Sequence, residues 1–424
     1  MRPLIFLTII TLLLAACAPA VAPEPELIRA DLPRLAAPEV DETAVAQLAQ
    51  GNNRFAFDLY HALREASSDN LIYSPYSISL ALAMVYAGAR GETEAEMAQV
   101  LHFLPAEVHH RALNALDQRL TALAENGDGD GDETDGRFQL NIANAVWGQA
   151  GWSFEEAYLA TLAQQYGAGL RVSDFIAQPE EARQEINAWI AEQTAQRILD
   201  ILPPGVIKPT TRLVLANAIY FNAAWQFPFD AAATQNGPFT LLDGSQVSVP
   251  LMRHSAARIP YGEGPSYQAV ALPYAGQGVE MVVILPQAGQ FEAVEAGLSA
   301  DFLNQVRRQA ALRDVRLTMP RFEFDSDLDL KALLIEMGLE NPFGGAADFS
   351  GIVAGGGLAI SDALHRGTIT VDEEGTEAAA ATVIALAESM LEGAEMTLDR
   401  PFILAIVAQD TGAILFLGRV VNPA

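Results

Sequence analysis

The residue types that usually carry chemistry are few in this chain and poorly spaced for it. Six histidines are scattered through 424 residues, and only His109 and His110 adjoin. No run of His, Cys, Asp and Glu has metal-ligand spacing. The sequences G-x-S-x-G, H-E-x-x-H and G-x-x-x-x-G-K-[ST] do not occur. Carboxylate pairs such as Glu155-Glu156 fall at a helix start, where the dipole favours negative charge, and read as solvated. In Gly127-Asp-Gly-Asp-Gly-Asp-Glu-Thr-Asp-Gly136, Asp128, Asp130 and Asp132 are spaced like a calcium loop. Glu133, however, stands where such a loop turns on glycine. The stretch reads as a solvated acidic loop. The residues therefore point away from an enzyme and call for no cofactor and no metal.

What remains is a segment of unusual composition, Glu373-Glu374-Gly375-Thr376-Glu377-Ala378-Ala379-Ala380-Ala381-Thr382. Composition alone reads it as a surface helix, because alanine has the highest helix propensity. The four alanines and the flanking threonines are also too small to anchor a core. The segment can leave or enter a packed environment at little steric cost, which suits a loop that later becomes a buried strand.

The elements around this segment alternate between two periods. Phe55, Leu59 and Leu63 have helical spacing, and an apolar helix follows Pro75 to Tyr86, ended by Gly88 and Gly91. A helix carrying Glu94, Met97 and Val100 comes next. Strands are expected over 140–149, 212–221 and 367–371, with mostly strands and turns over 251–283. Two closing strands lie within 401–421, around Asp410-Thr411-Gly412. Helices are expected over 154–166, along Ile186, Ile190, Thr194 and Ile198, and over 326–337. No internal repeat and no dividing linker interrupts residues 45–423. The mixture is α+β.

Half of the residues are hydrophobic, with mean hydropathy +0.17, enough for a large core. Net charge is −28, with Lys208 and Lys331 the only lysines. Such a surface repels phosphate backbones, so no nucleic-acid partner is expected. The one cysteine, Cys17, excludes an intrachain disulfide. It follows Arg2, an apolar run from Pro3 to Leu14, and small residues, the layout of an export signal too short to span a bilayer. Leu14-Ala15-Ala16-Cys17 resembles the bacterial lipobox, which makes residues 1–16 a lipoprotein signal peptide and Cys17 the lipidated residue. Residues 17–43, with Pro19, Pro23, Pro25, Pro33 and Pro38, read as a semi-rigid tether. The expected location is the cell envelope, lipid-anchored and facing outward or into the periplasm.

Several blocks, in one order, resemble the serpins. They are Asn70-Leu-Ile-Tyr-Ser-Pro-Tyr-Ser-Ile78, Leu213-Val-Leu-Ala-Asn-Ala-Ile-Tyr-Phe-Asn-Ala-Ala-Trp225, Asp348-Phe-Ser-Gly-Ile352, Arg400-Pro-Phe402 and Phe416-Leu-Gly-Arg-Val-Val-Asn-Pro423. The segment at 373–382 resembles the family's reactive-loop hinge. The resemblance spans residues 44–424 and implies helices packed around a large central mixed sheet, smaller sheets, and an exposed reactive-centre loop at about 373–399. It implies a monomeric suicide-substrate inhibitor of extracellular serine proteases, with cysteine proteases as secondary targets. A protease that cleaves the loop would be trapped as its acyl-enzyme when the loop inserts into the main sheet. The alternative is a non-inhibitory serpin acting as a cell-surface binding module.

The resemblance also assigns residues. In a strand, Thr376, Ala378, Ala380, Thr382, Ile384 and Leu386 would share the inward face, and all are small or apolar. Ser74, Ser77, Asn217 and His365 match polar positions under the opening sheet. Trp225 matches the aromatic where insertion begins, and Arg321 and Glu373 match a hinge-anchoring pair. Counting from Gly375 places the scissile bond at Ser389–Met390; counting back from Pro401 places it at Met390–Leu391. Both suit elastase-, chymotrypsin- or subtilisin-like proteases. No Arg or Lys between Gly375 and Asp399 invites a trypsin-like one.

Overall fold

The computed structural model describes residues 26–125, 139–276, 278–376 and 393–424. The first third is largely helical: β1 (Glu26–Ile28), α1 (Glu42–Ala66), β2 (Leu71–Tyr73), α2 (Pro75–Tyr86), α3 (Gly91–Val100) and α4 (Ala106–Glu125). The middle alternates: β3 (Gln139–Gln149), α5 (Glu156–Thr161), β4 (Leu170–Ser173), α6 (Pro179–Gln193) and β5 (Leu213–Ala224). Then come β6 (Gln235–Thr240), β7 (Gln246–Gly264), β8 (Tyr267–Pro273), β9 (Val279–Pro286), α7 (Phe291–Ala296), α8 (Ala300–Gln309) and β10 (Ala311–Pro320). The chain ends with β11 (Phe322–Asp329), α9 (Leu330–Glu336), β12 (Ile360–Val371), β13 (Gly375–Thr376), β14 (Ala394–Thr397), β15 (Phe402–Ala408) and β16 (Ile414–Val420). This is the expected α+β mixture.

The strands form two sheets among the described residues. Seven make the order β1-β4-β3-β5-β13-β12-β11, and nine make the second sheet, with β6 branching from β7. In the first, β5 is antiparallel to β3 and parallel to β12. Both faces of β5 are covered, so its sequence is nearly continuous in apolar residues. Val214, Ala216 and Ala218 meet α6 through Ile186 and Ile190, while Leu213 and Leu215 point into the core with Phe55 and Ile78. Alternate residues of one strand thus serve two cores.

The helix beneath this sheet is set by its cap. Ser74 accepts a hydrogen bond from the Ser77 amide at 3.1 Å, Pro75 opens α2, and every residue of α2 is buried. A helix apolar all round must be a core helix.

Three expected elements differ in bounds or in type. Residues 326–329 continue β11, because Phe322, Ser326 and Leu328 alternate inward while Asp325, Asp327 and Asp329 face water, and the strand pairs with β12. Only at Leu330 does α9 begin, capped by Asp329. Helix α6 stops at Gln193, since Ala195 and Gln196 take positive φ of 50° and 63°; Thr194 and Ile198 lie beyond it. The helix expected over 154–166 closes as a π turn, Leu162–Tyr166, ended by Gly167 at φ 65°. Residues 26–41 of the proline-rich segment lie on the body of the protein, with β1 paired to β4.

Candidate functional site

Strands β5 and β12 pair from Leu213↔Ile360 to Ile219↔Gly367 and then diverge. The two residues of β13 occupy the gap. Thr376 pairs with Val371 of β12 and with Ala223 of β5, and Gly375 pairs with Ala224, all antiparallel. The hinge is therefore already a strand of the main sheet at Gly375 and Thr376. A tight turn makes this possible. The Asp372 amide donates to the Gly375 carbonyl at 2.9 Å, and the Asp372 carboxylate accepts from the Glu374 and Gly375 amides at 2.9 and 3.1 Å. Gly375 is required by proximity, since a Cβ there would lie 2.2 Å from the Ala223 carbonyl oxygen.

Neighbouring groups hold the turn. The Trp225 amide donates to the Glu374 carbonyl at 2.8 Å, and its indole N–H donates to the Asp372 carbonyl at 3.0 Å. The Phe229 amide donates to the Glu373 carbonyl at 2.8 Å. Thr376 is 1 % exposed and its hydroxyl lies 2.8 Å from that of Tyr274, whose ring stacks on Trp225 at 4.6 Å. Burial pushes the Tyr274 phenol up, so it stays neutral.

Glu373 is anchored chiefly by an unexpected partner. Its carboxylate accepts a 2.7 Å hydrogen bond from Thr234 and lies 3.6 Å from the Arg321 guanidinium. The Arg321 side chain is 56 % exposed, so that pair contributes no more than about 1 kcal/mol. A hydrogen bond to a charged group contributes about 1.5–3 kcal/mol. Thr234 is the stronger anchor.

Below the hinge, the polar positions expected under the sheet converge. His365 of β12 bonds Asn217 of β5 through Nδ1. Asn217 Nδ2 donates to the Ser77 carbonyl at 2.8 Å and to its Oγ at 2.6 Å. The Ser74 amide donates to His365 Nε2 at 3.1 Å. Because Nε2 accepts, the proton of the neutral ring sits on Nδ1 and is donated to the Asn217 carbonyl oxygen. Burial holds His365 at about 3. The cluster joins β5, β12 and the start of α2 across the seam that a longer inserted strand must open.

A serpin family model, described as serine protease inhibitor, matches residues 50–423. The chain is a serpin. An uncharacterized serpin-like protein of Thermococcus kodakarensis is 40% identical over 375 residues, covering 88% of this chain and 84% of that one. The leukocyte elastase inhibitor of Bos taurus is 37% identical over 390 residues, covering 89% and 100%. The crystal structure of Serpin48, a highly specific serpin of the insect Tenebrio molitor, matches with TM-score 0.78 and 29% identity over 89% of this chain and 98% of that one.

Of the residues assigned to this serpin's machinery from sequence, Glu373, Glu374, Gly375, Thr376 and Trp225 meet at the mouth of the gap, with Arg321 beside them. Ser74, Ser77, Asn217 and His365 meet below it. Residues 377–382, Ser389, Met390, Leu391 and Cys17 lie outside the described residues, as does the acidic loop. Three participants were not anticipated. Asn144 stands opposite Asn217 in β3 and bonds both it and Ser77; with Asn141 in the same strand, nothing in the sequence singled it out. Tyr274 and Thr234 had no signal either, because both act from other elements.

Proposed function

We propose that this serpin is a suicide-substrate inhibitor of extracellular serine proteases with elastase-, chymotrypsin- or subtilisin-like specificity. The target's serine oxygen attacks the carbonyl of Ser389 or Met390. An ester forms, the amine of Met390 or Leu391 leaves, and the loop adds to the main sheet before water can cleave the ester. Loop insertion of this kind is an established property of the family.

The observation that carries the reading is the position of β13. Thr376 is buried between β5 and β12 before any cleavage, so each further residue extends an existing strand. The inward set after it, Ala378, Ala380, Thr382, Ile384 and Leu386, contains no charge. In an inserted strand, alternation would put Glu377 on the opposite face, where water could solvate it. From Gly375 to Ala387 a strand would span on the order of 40 Å, enough to carry an attached protease the length of the sheet. The kinship with leukocyte elastase inhibitors agrees with the apolar or small residues at the proposed bond.

The site of action proposed is the cell envelope, with lipid on Cys17. Since the chain is docked on the body from Glu26, residues 18–25 alone would separate lipid from domain, a covalent reach of at most about 32 Å. The reactive loop would then meet incoming proteases close to the membrane.

Incubation with a panel of serine proteases, resolved on a denaturing gel, tests the reading. A covalent complex surviving boiling in detergent is expected with an elastase- or chymotrypsin-like enzyme. Cleavage of the loop by every protease, with full enzyme activity retained, would instead make this a non-inhibitory serpin.

A further inference from the structure

Residues 26–41 cross from the edge of the seven-stranded sheet to the helices beneath it. β1 pairs antiparallel with β4 through Glu26↔Val172, Leu27↔Arg171 and Ile28↔Leu170. The Leu35 amide then donates to the Gln164 carbonyl at 2.9 Å, and the Leu35 carbonyl accepts from Asn114 at 3.0 Å and Gln118 at 2.8 Å. Arg34 supplies the anchor. Its Nε donates to Asn114 at 2.8 Å, and its Nη2 meets the Asp117 carboxylate at 2.7 Å.

The body makes room for this crossing. A Cβ on Gly169 would lie 2.7 Å from the Ile28 carbonyl oxygen, and one on Gly167 would lie 3.1 Å from the Arg34 side chain. Gly167 is already required by its positive φ, so Gly169 is the glycine that the backbone of the segment itself requires. That fits a seat built for it rather than a chance contact.

The anchor leads to the polar cluster. The second oxygen of Asp117 accepts from the Tyr76 hydroxyl at 2.7 Å. Tyr76 lies in α2 beside Ser77, which accepts from Asn217 across the sheet. Arg34, Asp117, Tyr76 and Ser77 therefore form a continuous path from the strap to the seam between β5 and β12.

Any longer insertion must separate β5 from β12. The strands on the β5 side, β3, β4 and β1, would have to shift as a block relative to α2 and α4. The strap ties the outer edge of that block to α4. We infer that residues 26–41 are a restraint that keeps the seam between β5 and β12 closed, with Arg34 as its clasp. Its consequence for inhibition, a slower loss of insertable loop before a protease arrives, rests on the inhibitory reading; the restraint itself does not.

Amide hydrogen exchange on the full-length, uncleaved protein tests this without any protease. Arg34→Ala and Gly169→Val are compared with the unaltered chain. Arg34→Lys serves as the conservative control, since a lysine cannot engage Asn114 and Asp117 as a fork. Exchange in β1 reports strap release, and exchange along 213–219 and 360–367 reports the seam. Expected are fast exchange in β1 and seam exchange faster by about tenfold in Arg34→Ala, with Arg34→Lys between. A released strap with unchanged seam exchange overturns the inference. So does a strap that stays docked in both variants, because Arg34 and Gly169 would then not hold it. A covalent complex with unchanged seam exchange sinks this inference alone, whereas a loosened seam without any complex sinks the inhibitory reading alone.

Discussion

The hydroxyls of Thr376 and Tyr274 lie 2.8 Å apart, both buried, at the point where the loop enters the main sheet. Neither group can reach water, so each satisfies the other. The contact holds Thr376 in the sheet. Tyr274→Phe leaves the Thr376 hydroxyl unpaired, and Thr376→Val strands the phenol. Each single change is expected to cost about 1–3 kcal/mol in stability. The double variant should lose less than the sum, because no orphan remains. Urea unfolding of the four proteins checks this, and strict additivity would mean that the two hydroxyls do not interact.

Thr376→Arg goes further. The guanidinium would have to enter a site that is 1 % exposed and lined by Val371, Ala223 and Tyr274. A buried unpaired charge costs several kcal/mol. The variant should expel β13 and be cut by the target protease as a substrate, with little covalent complex. Titration of protease activity against inhibitor measures it; unchanged stoichiometry would contradict the inward assignment of Thr376.

The sequence disclosed this hinge better than it disclosed what grips it. Gly375 and Thr376 were legible because small size and alternation are local properties. Ser74, Ser77, Asn217 and His365 were legible only through resemblance to a family, and their convergence depends on register across three elements. Asn144, Thr234 and Tyr274 were not legible, since each acts on a partner more than 65 residues away and none matched a family position. Residues 326–329 misled because leucines near α9 fit a helical period while the strand beside them alternates. Residues 26–41 misled because proline content describes a free chain, and docking depends on the β4 edge and on Arg34 meeting Asp117.

Cutting the loop should raise the melting temperature sharply. Among the described residues β13 is Gly375–Thr376, and β5 and β12 pair with each other below it. Once severed, the loop can extend β13 along both strands, replacing one parallel ladder by two antiparallel ones. Thermal unfolding of intact and cut protein side by side decides the matter. Equal midpoints would identify a sheet that does not accept the loop.

Cys17→Ala should release the protein from membranes or block its maturation. Stable anchoring takes more than one acyl chain, at about 0.8 kcal/mol per buried CH₂, a condition met by a bacterial lipoprotein's several chains. Membrane fractionation with fatty-acid labelling is the measurement. A wholly soluble, unlabelled wild-type protein would remove the envelope from the proposed function.

Acid should loosen the seam through His365. Its ring is neutral in the fold, held at about 3 by burial, whereas in the unfolded chain it titrates near 6.5. Between those values the unfolded state binds the extra proton, so stability falls as pH drops below about 6.5 and is unaffected by this group above it. At pH 5 the deficit is about 2 kcal/mol for such a group. His110, held at about 4 by burial, and His109, also depressed by burial, act in the same direction. Protonation of His365 has a further local effect, because Nε2 would then be a donor facing the Ser74 amide, itself a donor. Urea midpoints of the wild type and of His365→Gln, measured from pH 8 to pH 5, separate the contributions. The variant should start less stable at pH 8 and lose less than the wild type on acidification, by about 2 kcal/mol at pH 5. Parallel pH profiles for the two proteins would show that His365 does not carry the acid sensitivity, which would then lie with other groups, His109, His110 and His254 among them, all lowered by burial.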